Sequence, residues 1–370
     1  MKINVVDEFI ALASLNSLSR SEGLVAGYLI GRLRELGLDF EVDDSAPRTG
    51  SDTGNILVRI PGNRPGPTVL LCAHMDTVGS TEGMVPELRG GVVYSNGRTV
   101  LGADDKAGIA ILMSALSDLQ GGGLPHPDLE VLFTVQEEVG LSGAEALQAN
   151  LKAAFGYVLD GDGPVGNIVN QAPSKVDLDL VLTGKAAHAG VCPEEGINAI
   201  VVAAKAIARL HTGRIDRRTT SNVGLINGGR IRNIVADRAE VSMEVRSTDP
   251  GRLEAEVQAA LDAFEEEAAA AGAQLSVRKA LPFVAFTIPE THPVVANAFR
   301  AARALGIEPQ LWTSGGGMDA NIFNVKGLPC IGLGIGIEGA HSPNEHIAVV
   351  QLETGVRFIE ALLKEAVVAA

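Results

Sequence analysis

The sequence predicts an α/β fold: a mostly parallel sheet flanked by helices, with a smaller α+β domain inserted into it. Short apolar runs in Val69–Val78, Leu129–Val135 and Phe155–Leu159 are separated by helical patterns. Such runs read as buried parallel strands joined by helices. Each stops at histidine or acidic residues, and open α/β sheets place their ligand crevice at the carboxyl ends of strands. The chain is 370 residues long, which is long for one core and suggests two domains.

Residues 3–15 carry helical spacing of apolar positions, and a second helix follows. Ser19-Arg20-Ser21-Glu22 has the form of a capping box for it, and Gly37 is its stop. Phe40–Val42 and Asn55–Ile60 read as strands, and the Pro- and Gly-rich Pro61–Pro67 as a turn. Val92–Tyr94 is a small hairpin strand. Leu101–Gly108 leads into an apolar helix through Leu119, ended by Gly121-Gly122-Gly123. A helix over 142–149 separates the strands Leu129–Val135 and Phe155–Leu159.

After Gly161-Asp162-Gly163-Pro164 the pattern changes, and Lys175–Leu182 alternates apolar and polar residues as a half-exposed strand does. Helix 197–210, strands 221–226 and 234–246, helix 251–270 and strand 274–279 complete a βαββαβ order. That order suits a ferredoxin-like sheet with two helices on one face. Its open face or edge is a plausible dimer surface. Helix 293–305, the cluster Gly315-Gly316-Gly317, strand 329–335, His341 and a helix over 351–365 resume the α/β pattern. The expected division is therefore 1–172 and 284–370 for the large domain and 173–283 for the insert.

Composition narrows the class. Hydrophobic residues make up 46% and charged residues 20%, ordinary for a globular protein. A net charge of −15 argues against nucleic-acid or anionic-membrane partners. Cys72 and Cys330 lie in apolar runs and read as buried thiols; Cys192 has no assigned role. The start carries Asp7-Glu8 where a secretory apolar stretch would continue, and no apolar run approaches membrane-spanning length. A reducing cytoplasm is the expected compartment.

The residues that carry chemistry stand at strand ends: His74, Asp76, Asp104, Glu137, Glu138, Asp160 and His341. His74 and Asp76 are two apart, so on a strand they share a side, and a carboxylate there can hold the imidazole. Each has a bland reading alone. Asp104 and Asp105 could cap the following helix, Glu137-Glu138 could be a solvated pair, and Asp160 a turn residue. Their joint placement at strand ends points to metal. Two imidazoles with several carboxylates suit Zn²⁺, Mn²⁺ or Co²⁺, and the excess of carboxylate suggests two ions sharing a bridging ligand. One carboxylate would remain as general base, and the adjacent glutamates fit that division.

Ala73-His74-Met75-Asp76-Thr77-Val78, Gly102-Ala103-Asp104-Asp105-Lys106-Ala107-Gly108, Glu137-Glu138-Val139-Gly140 and Ala340-His341-Ser342-Pro343 resemble, in order, the motifs of the two-metal peptidase family. That family includes peptidase T, glutamate carboxypeptidase, aminoacylase and succinyl-diaminopimelate desuccinylase. The motifs Gly102–Gly108 and Gly184–His188 are most similar to peptidase T. The resemblance implies two divalent ions, Zn or else Mn or Co. It implies His74, Asp104 and Asp160 on one ion and Asp104, Glu138 and His341 on the other, with Asp104 bridging. It further implies that Asp76 orients His74, that Glu137 is the base, and that His188 of the insert steadies the oxyanion, often across a dimer. Asn233 and Arg246 resemble residues that bind the substrate's backbone or carboxylate.

The chain departs from the family at Met318, where many relatives carry a small polar residue before Asp319. Asp319 is a candidate for attracting a substrate's free amine. The expected activity is hydrolysis of short peptides from the amino end by a soluble homodimer. The alternatives are an N-acyl amino acid amidohydrolase or carboxypeptidase of the same family, and a metal-dependent peptide-binding protein without turnover. Glu137 speaks against the last, since a binder needs no base beside its metals.

Overall fold

A computed structural model describes residues 2–367. It divides into two compact units, one formed by the chain up to Ala172 and from Thr287 on, the other by Pro173–Phe286.

The first unit is built on a large mixed sheet, and its centre is parallel. Leu129–Thr134, Val69–His74, Phe155–Gly161 and Cys330–Gly334 lie side by side in that order, all pointing the same way. Ile56–Ile60 and Phe40–Val42 extend one side antiparallel, and Asn167–Ala172 joins the other side antiparallel. Val69–His74 is buried along its whole length, as a strand covered on both faces must be. Val69, Leu71 and Ala73 pack into the main core with helices Val5–Ala13, Ala103–Gln120, Pro293–Ala304 and Val349–Ala366. The expected α/β class is what the chain adopts.

A small antiparallel sheet completes this unit, in the order Ile337–Glu338, His346–Ala348, Val92–Tyr94 and Glu87–Arg89. It holds the ends of the loop that carries His341.

Several local expectations yield to tertiary partners. The second helix runs Gly23–Glu35, and no capping box closes it. Its Gly23 N–H donates to Asp52 at 2.8 Å, from a distant loop. Ser19 and Glu22 are drawn elsewhere, as described below. The helix expected over 142–149 is a single turn, Ser142–Ala146. Gln310–Thr313, which pairs parallel to Asn167–Ala172, is exposed at every position and lacks the apolar pattern of a buried strand.

The second unit is an antiparallel sheet with strand order Gly213–Arg214, Thr219–Gly228, Arg238–Ser247, Ser174–Thr183 and Gln274–Phe283. Ser174–Thr183 alternates buried positions with half-buried ones up to an exposed Thr183. Val176, Leu178, Leu180 and Leu182 face the helices Ala199–Ala208 and Pro250–Ala271 and make one core with Val257 and Phe264. The intervening residues carry charge: Lys175 meets Asp177 and Glu244, and Arg278 meets Asp179. Asn198 and Asp249 cap the two helices through their side chains, each the expected residue type for the role.

Candidate metal centre

The site grows from the carboxyl end of Val69–His74. The His74 ring is buried at 2% exposure. Its Nδ1 lies 3.0 Å from the Asp76 carbonyl, and its Nε2 lies 3.0 Å from Asp104 Oδ1. With Nδ1–H donating to the carbonyl, a neutral ring presents the Nε2 lone pair to a carboxylate oxygen. Two acceptors facing each other at that distance need a proton or a cation between them.

The same conflict recurs on the other oxygen of Asp104. His341 Nε2 is 3.1 Å from Asp104 Oδ2 and 3.2 Å from Glu138 Oε2. Without a metal, the carboxylates draw both imidazoles toward the protonated form. Bonds to Asp104 and Glu138 push His341 up to about 10 against the effect of burial. At His74 burial opposes the charge, but bonds to Asp104 and Asp76 outweigh it and raise the ring well above its ordinary value.

Asp104 reaches this position because the start of Ala103–Gln120 is not helical. Asp104 and Asp105 depart from helical backbone angles, and the peptide between them is cis. The adjacent carboxylates divide the work. Asp104 faces the histidines. Asp105 is buried, accepting the His74 N–H on Oδ2 and the Gly108 N–H on Oδ1, each at 3.1 Å. Asp105 is thus the helix cap that a bland reading allows, and it also ties the helix to the His74 strand. Gly108 is required there, since a Cβ would sit 2.3 Å from Asp105 Oδ1 and 2.6 Å from the Leu159 carbonyl.

The glutamates follow Leu129–Thr134 in a turn where Gln136 takes a positive φ of 51°. Asp76 holds that turn. Its Oδ1 accepts the Glu137 N–H at 2.9 Å, and its Oδ2 accepts the Glu138 N–H at 3.2 Å and the Ser19 hydroxyl at 2.7 Å. Asp76 is expected to orient His74; it is also the clasp for both glutamates. Burial works against its charge, yet bonds from His74, Ser19 and the Glu137 N–H keep its carboxyl below the ordinary value. Glu22 accepts the Gln136 N–H at 3.1 Å, the Arg20 N–H at 2.9 Å and the Ser51 hydroxyl.

Ligand atoms of His74, Asp104 and Glu138 lie within 4.8 Å of one another, as do those of His74, Glu137 and Asp160. Burial, then the charges of Asp104 and Glu137, push the Asp160 carboxyl well above its usual range. Glu137 is raised likewise by burial and by Asp319 and Glu138. Glu138 Oε1 is buried with no hydrogen-bond partner. Crowded carboxylates, an orphaned oxygen and imidazole lone pairs turned onto acceptors all call for cations. The N···O separations of 3.0–3.2 Å also match ligand atoms of one tetrahedral Zn²⁺, which at bond lengths of about 2.0 Å lie roughly 3.3 Å apart. The donor set fits divalent metal.

In the second unit, His188 and Asn233 are neighbours. His188 bridges Ile234, and the Ala189 N–H donates to the Asn233 carbonyl at 3.0 Å. Both residues are exposed. Arg246 stands on the Arg238–Ser247 strand, paired with Glu244 at 2.9 Å.

Asp319 is 1% exposed; its Oδ2 accepts the Thr134 hydroxyl at 2.6 Å and faces Cys72 Sγ at 3.7 Å, and its Oδ1 is buried with no hydrogen-bond partner. Burial raises it to about 6. Met318, beside it, is buried against Gly332. The departure at Met318 is therefore a packing feature. In sequence, Ser19 and Glu22 have the form of a capping box and Asp105 that of a helix cap, and Glu345 carries no signal of its own. Their bonds reach across the fold.

Comparisons with known proteins agree with this geometry. Residues 70–365 match the model of Peptidase family M20/M25/M40. The uncharacterized protein YqjE of Bacillus subtilis is 38% identical over 98% of both chains. The crystal structure of aminopeptidase PepT from Bacillus cereus superposes with a TM-score of 0.89 at 38% identity, covering 98% of this chain and 99% of that one. A tripeptidase from Staphylococcus aureus superposes with a TM-score of 0.93 at 35% identity, with the same coverage. With its histidines and carboxylates at the strand ends, the chain belongs to Peptidase family M20/M25/M40 and is a metallopeptidase, a hydrolase of peptide or amide bonds.

Proposed function

We propose that this protein is an aminopeptidase of short peptides, tripeptides foremost, working with two divalent ions. The observation that carries the reading is Asp104, whose two oxygens each face a different histidine. His74, Asp104 and Asp160 would hold one ion, and Asp104, Glu138 and His341 the other. Zn²⁺ suits this mixed N/O set best, with Mn²⁺ and Co²⁺ as alternatives. When bound, the ions supply positive charge that polarises the scissile carbonyl and acidifies the attacking water.

The chain's own groups do the rest. Glu137 takes the water's proton and returns it to the leaving amine. Asp76 keeps Glu137 and Glu138 in place through their N–H groups. His188 would steady the developing oxyanion, and Asn233 beside it would bind the substrate's backbone. Arg246 would meet the carboxylate end, once drawn from Glu244. Similarity to the aminopeptidase of Bacillus cereus and the tripeptidase of Staphylococcus aureus supports the polarity. A homodimer formed through the second unit and a cytoplasmic setting complete the reading. Free Cys72 and Cys330 are in keeping with that setting, and no described helix is long and apolar enough to cross a membrane.

The test is a comparison of a free tripeptide, its N-acetyl form and its C-terminal amide, with products followed by mass spectrometry. The free tripeptide should be cut fastest and from its amino end. If the N-acetyl form is preferred, the aminopeptidase reading gives way to an acyl-amino-acid hydrolase.

A further inference from the structure

One buried carboxylate near the site has no role so far. Glu345 is 1% exposed. Its Oε2 accepts the Gly102 N–H at 2.9 Å, and its Oε1 accepts the Asp104 N–H at 3.0 Å. These amides flank the backbone that delivers Asp104. At an ordinary helix start a local Ser or Asp would take them; here the acceptor lies 241 residues away in sequence. Glu345 belongs to the turn that carries His341, since its N–H donates to the Ser342 carbonyl at 3.1 Å. Its own carbonyl receives the Ser95 N–H, so the turn is also pinned to the loop after the small hairpin. The nearby Lys106 is buried, with Nζ bonded to the Leu15 carbonyl at 2.6 Å; burial lowers its ammonium to about 7, and the charge of Glu345 opposes that fall. The main chain of Asp104 is thus gripped by the same turn whose His341 ring meets the Asp104 side chain at 3.1 Å.

We propose that Glu345 is a positioning residue that locks the Asp104 backbone to the His341 turn, so that one carboxylate can serve two ions. The inference rests on the two-ion reading above. Second-sphere groups of this kind typically change metal affinity by about 10- to 100-fold. Glu345→Gln keeps the size of the side chain but turns an NH₂ toward one of the two N–H donors.

The experiment titrates metal-free wild type and E345Q with Mn²⁺. It reads stoichiometry and stepwise affinity by calorimetry, and spin coupling between ions by electron paramagnetic resonance. E345Q should bind its first ion as wild type does and its second roughly 10- to 100-fold more weakly, with the coupled signal appearing only at high Mn²⁺. Leu362→Ala, a core variant of the first unit, should leave both affinities unchanged, which separates the effect of E345Q from a general loss of stability. Wild-type affinities and coupling in E345Q overturn the inference while leaving the two-ion reading intact. A wild type that takes up fewer than two ions overturns both. Amide exchange in the metal-free wild type gives a check independent of the variant's folding. Gly102 and Asp104 should exchange slowly, and exchange at the rate of exposed amides refutes the grip.

Discussion

Asp76→Asn is the sharpest single perturbation of the site. The carboxylate is fully buried and accepts from the Glu137 N–H, the Glu138 N–H and the Ser19 hydroxyl, with His74 Nδ1 3.4 Å away. Asparagine keeps one acceptor oxygen. The Ser19 hydroxyl can rotate and accept from the new NH₂, but one glutamate N–H is left facing a donor. An unsatisfied buried donor costs about 1–3 kcal/mol, and turning the remaining charged bond into a neutral one costs about 1 kcal/mol more. The expected loss is about 2–4 kcal/mol, a large share of a total stability of roughly 5–15 kcal/mol. For a 370-residue chain unfolding as one, that is a fall in Tm of about 3–5 °C. The assay is thermal unfolding of the metal-free protein at pH 7, paired with a Zn²⁺ competition titration. Metal affinity should fall by about 10- to 100-fold, because His74 and Glu138 lose their common support. A D76N protein that melts within a degree of wild type and holds metal equally well would refute the claim that Asp76 clasps the site.

Other outcomes follow from the same geometry. Glu137→Gln should retain both ions by elemental analysis and lose about 10²–10⁴ in kcat; loss of an ion with it would make Glu137 a ligand. Phe264→Ala should destabilise the second unit by about 3–5 kcal/mol, read by amide exchange in residues 173–286, since Phe264 is fully buried between helix and sheet. Burial resists the charge of Glu244, but Arg246 and Lys175 hold its carboxyl below the ordinary value. The stabilisation is therefore present above the unfolded carboxylate range and lost as pH falls through the folded value. Glu244→Gln should weaken amide protection of the Arg238–Ser247 strand at pH 7 and make little difference at pH 3.

The parts of this protein that are legible in sequence are those set by local pattern. The Val69–His74 run announces a buried strand, and a histidine at its end announces a ligand, because periodicity and strand ends are local properties. The α/β core and the alternating Ser174–Thr183 strand are legible for the same reason. What sequence hides is where a polar side chain finds its partner. Ser19 and Glu22 have capping-box spacing, yet Ser19 bonds Asp76 and Glu22 bonds the Gln136 N–H across the fold. Asp319 has the look of a free carboxylate in a glycine loop, and its burial follows from packing against Thr134 and Cys72. Asn167–Ala172 escapes notice as a strand because Asn167, Asn170 and Gln171 interrupt its apolar pattern.

The central claim is that Asp104 is shared between two ions, and anomalous diffraction from zinc-loaded crystals tests it most directly. Two anomalous peaks should flank the Asp104 carboxylate, about 3.5–4 Å apart as in other paired-ion hydrolases, one beside His74 and Asp160 and the other beside Glu138 and His341. A single peak, or peaks that leave Asp104 without a bound ion on either oxygen, would contradict it.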